Sequence, residues 1–415
     1  MRGLVLSRLG AIADGQLTLR EGGASTTFGN PTRDGLAAEV MVREPGFWRQ
    51  LATGGTLGAA ESYARGEWDT PDLTALVRLI TRNVTAMDGM EGGLAALRRP
   101  FDAVRHALRR NTRSGSRRNI TEHYDLGDDF FALMLDPTMT YSCGIFDRPE
   151  TTLEDASIAK IDRLCRMLRL GPDDHLLEIG TGWGAFALHA ASRYGCRVTT
   201  TTLSFNQLSR ARRRVAEAGL SDRVKVVQQD YRDLTGRFDK IVSIEMLEAV
   251  GDRYVETFFG KVSDLLAPRG LLGLQMILCP DNQYPILRDG VDFIQKHIFP
   301  GSLLMSMRRI TEAMNATGDL NLLDYEDMTP FYAKTLKDWR TSFNAALPKV
   351  RALGYDEGFI RKWLYYLCYC EAGFGTRHIS VAQAVYTRPD NLDLHSPAYD
   401  LGHYREKPAA PARSK

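Results

Sequence analysis

The stretch DHLLEIGTGWGAF, residues 174–186, restricts the folds open to this chain more than any other segment. A strand-like apolar run, Leu176-Leu177-Glu178-Ile179, breaks at Gly180, Gly182 and Gly184 and then resumes as a helical pattern. Glycines placed there let the backbone turn sharply and bring a ligand close to a helix N-terminus. A strand that feeds a helix through such a turn is the opening unit of a parallel α/β sheet.

The neighbouring segments repeat the alternation. Helices are predicted over Leu153–Leu170, Ala185–Tyr194 and Ser204–Ala218, each stopped by a following glycine. Strand-like runs cover Arg197–Thr202, Val224–Gln228, Lys240–Ile244 and Leu271–Ile277, with a helix through Tyr254–Leu266 before the last. This order predicts an α/β fold with a doubly wound, mostly parallel sheet covered on both faces. Ligands then sit beyond the carboxyl ends of the strands.

The spacing G-x-G-x-G differs from the dinucleotide fingerprint, and the second strand ends in Thr199-Thr200-Thr201-Thr202 without an acid for a ribose. No Gly-Lys-Ser/Thr follows, which excludes a P-loop. Glu178 would repel a pyrophosphate but suits a ligand with positive charge or donors, such as the amino-acid portion of S-adenosylmethionine. Asp230 can accept from an adenine amino group, and Tyr231 can pack on the ring. Taken singly, the turn could be ligand-free and Asp230 a helix N-cap. Together, the strand ends favour a pocket for a nucleoside plus an amino acid.

Upstream, residues 1–90 read as a small α+β module. GQLTLREGGASTTFGN alternates like a hairpin with Glu21-Gly22-Gly23 at its turn, and helical segments follow around Gly46–Leu51 and Leu73–Val84. Residues 91–119 then carry Leu94, Leu97, Phe101, Val104 and Leu108 at helical spacing among Arg98, Arg99, Arg105, Arg109, Arg110, Arg113, Arg117 and Arg118. That pattern is either an ordinary amphipathic connector or a helix that lies on anionic lipid headgroups. Aromatic residues do not interleave it, so nucleic acid is not the expected partner. The catalytic unit is expected over 120–400, with a disordered tail at 401–415.

Composition adds exclusions. Of 415 residues, 44% are apolar and 25% charged, which argues against disordered and fibrous classes. Membrane-spanning runs and a signal peptide are not expected, and the six cysteines are scattered. Cys368-x-Cys370 lacks the further ligands of a zinc site, so no metal is expected. A cytoplasmic protein is the reading that follows.

Several motifs in order resemble the cyclopropane fatty acid synthases. They begin with Asn119-Ile120-x-x-His123-Tyr124-Asp125-Leu126-Gly127-Asp128-Asp129-Phe130 and Asp136-Pro137-x-Met139-Thr140-Tyr141-Ser142-Cys143. Next come Leu177-Glu178-Ile179-Gly180-x-Gly182-Trp183-Gly184, Thr202-Leu203-Ser204-x-x-Gln207 and Gln229-Asp230-Tyr231-Arg232-Asp233. Glu248-Ala249-Val250-Gly251, Phe293-Ile294-x-Lys296-x-Ile298-Phe299-Pro300-Gly301, Tyr332-x-x-Thr335-Leu336-x-x-Trp339 and Tyr369-Cys370-Glu371-Ala372-Gly373-Phe374 complete the set, covering roughly residues 115–390.

The resemblance implies a class I methyltransferase-type sheet with helical lid insertions, using S-adenosylmethionine to methylate the cis double bond of phospholipid acyl chains. The product would be a cyclopropane, or in a rival reading a methylene- or methyl-branched chain. Cofactor contacts are expected from Tyr141, Ser142, Glu178, Gly180, Gly182, Gly184, Thr202, Gln207, Asp230 and Tyr231. A bound bicarbonate would be the base, held by Cys143, Glu248, Ile277 and Tyr332. Gln275 stands where some members have histidine. Cys370 matches a cysteine once thought catalytic, although buried packing in WLYYLCYC is the favoured reading. His123-Tyr124-Asp125 is expected to form a structural lid. Peripheral attachment to the inner face of the membrane is expected, with the 1–90 module and the arginine-rich helix docking on anionic headgroups, and a homodimer is allowed.

Overall fold

The computed structural model of the protein describes residues 1–84, 112, 115, 126–391 and 394. The arginine-rich 91–119 segment (Thr112 and Gly115 apart), His123-Tyr124-Asp125 and the 401–415 tail lie outside the described residues.

The first sheet is the expected small module. β1 (Gly15–Glu21) turns back on β2 (Ala24–Asn30) through Gly22 and Gly23, whose φ of 56° and 84° only glycine adopts freely. β3 (Ala37–Val42) runs parallel to β1, and the short β4 (Trp68–Asp69) closes the order β2-β1-β3-β4. Leu17 and Leu19 on alternate positions of β1 are buried. They face helices α1 (Arg2–Leu9), α2 (Gly46–Ala64) and α3 (Leu73–Arg82) within one apolar cluster. α2 runs well past the segment expected at Gly46–Leu51, with a break at Gly55, where φ is 56°.

The second sheet carries β5 (His175–Ile179), β6 (Arg197–Thr202), β7 (Val224–Gln228), β8 (Phe238–Ile244), β9 (Leu266–Leu278), β10 (Asn321–Asp327) and β11 (Ser380–Thr387). Its order is β10-β11-β9-β8-β5-β6-β7, and only β11 runs against its neighbours. β6 and β8 flank β5 on opposite sides, so the winding reverses there and leaves a crevice beyond the end of β5. The α/β, mostly parallel, doubly wound expectation holds.

Local chemistry sets the helix starts. Thr152 and Ser204 cap the Leu153–Met167 and Phe205–Glu217 helices by accepting from the Asp155 and Gln207 amides. Each cap is worth about 1 kcal/mol. Over the crevice lie the 126–147 segment and the long helices Thr329–Ala345 and Glu357–Gly375. These helices share one hydrophobic cluster with the N-terminal module, joining Leu17, Trp48 and Leu79 to Phe130, Trp339 and Phe374. Arg361 donates to the Tyr63 and Trp68 carbonyls and lies 3.9 Å over the Tyr63 ring, while Glu61 pairs with Lys296 at 2.8 Å.

Candidate functional site

The turn after β5 is built as its glycines predict. Gly180, Gly182 and Gly184 have φ of 104°, 51° and 89°, and Gly184 caps the Ala185–Tyr194 helix. The Gly180 and Thr181 amides donate to the Thr201 carbonyl at 3.1 and 3.0 Å, pinning the turn to β6. A side chain at Gly182 would meet none of the described residues within 4 Å, whereas one at Gly184 would press on Ala211 at 3.3 Å. Gly182 therefore faces the cradle and Gly184 serves packing.

Glu178 is buried and accepts from Thr200 Oγ1 at 2.6 Å, across a register pair of β5 and β6. Burial pushes its carboxyl up to about 8, against the opposing effects of the Thr200 bond and the Lys160 charge. Arrival of an ammonium group would favour its ionised form. At the end of β6, Thr202 donates to Gln207 Oε1 at 2.8 Å, and both are buried.

Asp230 already has partners within the chain. Its carboxylate is forked by Arg232, with Nε at 2.8 Å and Nη2 at 2.6 Å, and it also caps a short 3-10 turn. The helix-cap alternative thus describes its geometry better than an open adenine acceptor does. Tyr231 packs edge-on against Phe258 at 5.4 Å, and the Arg232 guanidinium lies 5.5 Å from the centre of the Tyr231 ring.

The 126–147 segment folds across this cradle. Trp183, inside the glycine turn, donates to Asp128 Oδ1 at 2.7 Å, and Arg214 ties the Thr138 and Trp183 carbonyls together. Tyr141 meets Tyr366 hydroxyl to hydroxyl at 2.8 Å and lies 5.1 Å from the Trp339 ring. Ser142 accepts from the buried Lys160 ammonium at 2.6 Å.

Beyond the ends of β8 and β9 lies a cluster that the sequence reading only half anticipated. Glu245 has a φ of 48°, a left-handed conformation that costs a non-glycine residue roughly 1 kcal/mol or more. Its Oε1 accepts from the Cys143 amide at 2.9 Å and from Gln275 Nε2 at 2.7 Å, and its Oε2 accepts from the Tyr332 hydroxyl at 2.5 Å. Desolvation holds the carboxyl above its ordinary range, although those three donors and the Lys160 charge oppose it. Glu248 Oε1 accepts from the Ile277 amide at 2.5 Å, while its Oε2 is buried without a partner among the described residues. Desolvation, helped by the Glu245 charge, pushes Glu248 up to about 8.

Cys143, Glu248, Gln275, Ile277 and Tyr332 are therefore brought together as expected, but around a carboxylate of the chain itself. The amides of Cys143 and Ile277, the Tyr332 hydroxyl and the Gln275 amide each already have an acceptor on Glu245 or Glu248. The residues do not fit a bound bicarbonate, and that expectation is revised. Cys370 stands apart on the Glu357–Gly375 helix among partly buried apolar neighbours, with its thiol pushed up by desolvation and by Asp292. The packing reading describes it.

Three participants escaped the sequence reading. Glu245 was visible as a second acid at the end of β8, three positions before Glu248, but received no role. Lys160 falls on the buried stripe of its helix with Ala156, Ser157, Ile161 and Leu164, an out-of-place charge that periodicity could have exposed. Gln383 donates to Gln275 Oε1 at 3.0 Å and accepts from Arg163 at 2.9 Å, and only strand pairing reveals it.

Comparison with known proteins agrees with this geometry. The family model described as Mycolic acid cyclopropane synthetase matches residues 111–384. The chain is 38% identical over 358 residues to the tuberculostearic acid methyltransferase UfaA1 of Mycobacterium tuberculosis, covering 84% of this chain and 83% of the relative. It is 35% identical over 354 residues to the Escherichia coli cyclopropane-fatty-acyl-phospholipid synthase, covering 85% and 88%. The structures of the cyclopropane synthase MmaA2 from Mycobacterium tuberculosis and of the mycolic acid cyclopropane synthase CmaA1 complexed with SAH and CTAB both align with a TM-score of 0.61 and 32% identity. Each alignment covers 66% of this chain and 98% of the solved one. A glycine cradle at the switch point, the 126–147 segment folded across it and a match running through both place this chain in the mycolic acid cyclopropane synthetase family of S-adenosylmethionine-dependent methyltransferases.

Proposed function

We propose that the protein adds the methyl carbon of S-adenosylmethionine to the cis double bond of unsaturated phospholipid acyl chains and closes it to a cyclopropane ring. The observation that carries this reading is the enclosed Glu245 carboxylate, which accepts from Tyr332 and Gln275 with Glu248 nearby, beside the glycine cradle. Bound S-adenosylmethionine supplies an electrophilic methyl group, and the cradle fits it. Gly180, Gly182 and Gly184 give the backbone approach, and Glu178, Thr202, Gln207 and Tyr231 line the strand ends.

The rest of the chemistry falls to the chain. An isolated alkene is a weak nucleophile, so it must be held in line with the methyl and kept from water. Tyr141, Phe131, Trp339 and Phe299 form an aromatic wall, with ring centroids 5.1 to 6.3 Å from Tyr141. Such faces exclude water and attract the positive charge that develops on the acyl chain. A base must then take a proton from the new methyl group to close the ring.

A second reading keeps the cofactor and changes the product to a methylene branch, formed when the proton leaves after a hydride shift. Gln275 and the relative named as a tuberculostearic acid methyltransferase favour it. A saturated methyl branch would need a hydride and a proton from an added reductant.

Attachment to the membrane surface is part of the proposal. The arginine-bearing apolar stripe at 91–119 supports it, and no helix among the described residues is long and apolar enough to cross a membrane.

The deciding experiment incubates the protein with S-adenosylmethionine and dioleoyl phosphatidylglycerol vesicles and fragments the acyl products by mass spectrometry. Gain of one CH2 with ring-type fragments is expected. Methylene-type fragments would establish the second reading, and no mass gain would sink both.

A further inference from the structure

The carboxylate of Glu245 lies where the resemblance led us to expect an exogenous anion. A bicarbonate is planar, singly charged and held by hydrogen-bond donors. Glu245 presents a planar carboxylate to three donors that converge from different elements: the Cys143 amide in the lid, Gln275 on β9 and Tyr332 on the Thr329–Ala345 helix. A second monoanion there would meet like charge and find those donors engaged.

We infer that Glu245 replaces bound bicarbonate in this protein and is the base that receives the proton lost from the methylated acyl chain. The inference rests on the proposed methylation of an alkene. It draws on four features of the surroundings. The left-handed backbone at Glu245 is held by the Gln275 carbonyl, which accepts from the Glu245 amide at 2.7 Å, so a strained residue is kept where only its side-chain position gains. Tyr332, which donates to it, is itself fixed by stacking on Phe374 at 4.3 Å and 25°. Lys160, fully enclosed below, feels Glu245 as the largest of the acidic charges around it. Desolvation leaves the carboxylate more basic than an exposed glutamate, as proton removal requires.

The step balances without an oxidant or reductant. The methyl group leaves sulfur, whose bonding pair stays behind, and the alkene π pair forms the first new C–C bond. A cation is left on the adjacent chain carbon. A C–H pair of the new methyl then forms the second ring bond, or a double bond after a hydride shift, and the proton passes to Glu245. The neutral acid returns it to water once product has left. Glu248 is a positioning residue here: raised to about 8, it is largely uncharged at neutral pH and spares Glu245 a second negative neighbour.

The test compares wild type, Glu245→Gln and Glu245→Gly on dioleoyl phosphatidylglycerol vesicles, in buffer stripped of carbon dioxide and in buffer with added bicarbonate or formate. Wild-type turnover should change by less than about twofold between the buffers, and Glu245→Gln should lose about 100-fold or more in kcat. Glutamine keeps the shape, its oxygen can still accept from the Cys143 amide and Gln275, and its NH2 can donate to the Tyr332 hydroxyl oxygen, so S-adenosylhomocysteine binding by calorimetry should be retained. Glu245→Gly opens the site, and added bicarbonate or formate should restore its turnover by about tenfold. The inference is overturned if wild-type turnover collapses without bicarbonate and returns with it, or if Glu245→Gln turns over like wild type. Wild-type protein that binds S-adenosylhomocysteine yet makes no product from the alkene lipid would sink the proposed reaction itself, and the inference with it.

Discussion

Gln383 on β11 donates from Nε2 to Gln275 Oε1 on β9 at 3.0 Å, across a register pair, and this bond decides which end of the Gln275 amide faces Glu245. Glutamine cannot change charge near neutral pH, so its orientation is all it contributes. Replacing Gln383 with Glu removes the donor and leaves Gln275 free to turn its oxygen toward the Glu245 carboxylate. A drop of about tenfold in kcat is expected, with S-adenosylhomocysteine affinity within about twofold of wild type. Steady-state kinetics and calorimetry on the same preparation would check both.

Tyr332→Phe removes the hydroxyl that donates to Glu245 at 2.5 Å but leaves the Phe374 stack in place. A charge-assisted hydrogen bond is worth about 1.5–3 kcal/mol. Turnover should therefore fall by about 10- to 100-fold. Near-ultraviolet circular dichroism should be unchanged, and a lost spectrum would mean that the ring, not the hydroxyl, is what matters.

Lys160→Met puts an apolar side chain on the buried helix stripe but strips Ser142 of its donor and Glu245 and Glu178 of a nearby cation. Breaking a buried charge arrangement from one side costs about 3–5 kcal/mol. A loss of that order in urea unfolding is expected. Equal stability would show that desolvation of the ammonium already offsets its attraction to the acids.

Glu248 gives stability a pH dependence of known sign. Its folded value of about 8 lies above the ordinary 4.5, so the stability it contributes is complete below pH 4.5 and is lost as pH rises toward 8. Glu248→Gln should flatten this part of the profile, leaving the shares due to Glu178 and Glu245, both raised in the same direction. Thermal melts of both proteins between these limits would show the difference, and parallel profiles would contradict it.

Gly182→Ala tests the cradle. The added Cβ meets no atom of the described residues within 4 Å but takes a φ of 51° at the front of the turn. The backbone strain is worth about 1 kcal/mol. S-adenosylhomocysteine affinity should fall by much more than that strain implies, by about 50-fold or greater. A loss of stability without loss of affinity would place the cofactor elsewhere.

The fold was legible because its signals are local. Alternating apolar strands, glycine stops and capping residues such as Thr152 and Ser204 locate elements from a few neighbours each. β10 and β11 and the reversal of β11 were not read, since antiparallel pairing between β11 and β9 joins residues about a hundred positions apart. The cradle glycines were legible for the same local reason. The Glu245 cluster was not, because its meaning depends on Cys143, Gln275 and Tyr332 arriving from distant parts of the chain. The Arg232 fork on Asp230 is likewise not signalled by the motif, because only the folded turn brings the guanidinium onto the carboxylate.

The apolar layer shared by the N-terminal module and the Glu357–Gly375 helix has a consequence for dissection of the chain. Solved relatives are almost wholly matched by 66% of it, which suggests residues 1–84 as a detachable extension. Here Arg361 spends its guanidinium on the Tyr63 and Trp68 carbonyls, and Thr74 reaches Glu371 at 3.3 Å on the helix that also carries Phe374. Cutting at residue 84 would bare the Tyr365 ring and unseat the back of the stack that steadies Tyr332. In this chain the smallest unit fit for biochemistry includes the module, and a trimmed version would report on a wounded wall rather than on the reaction.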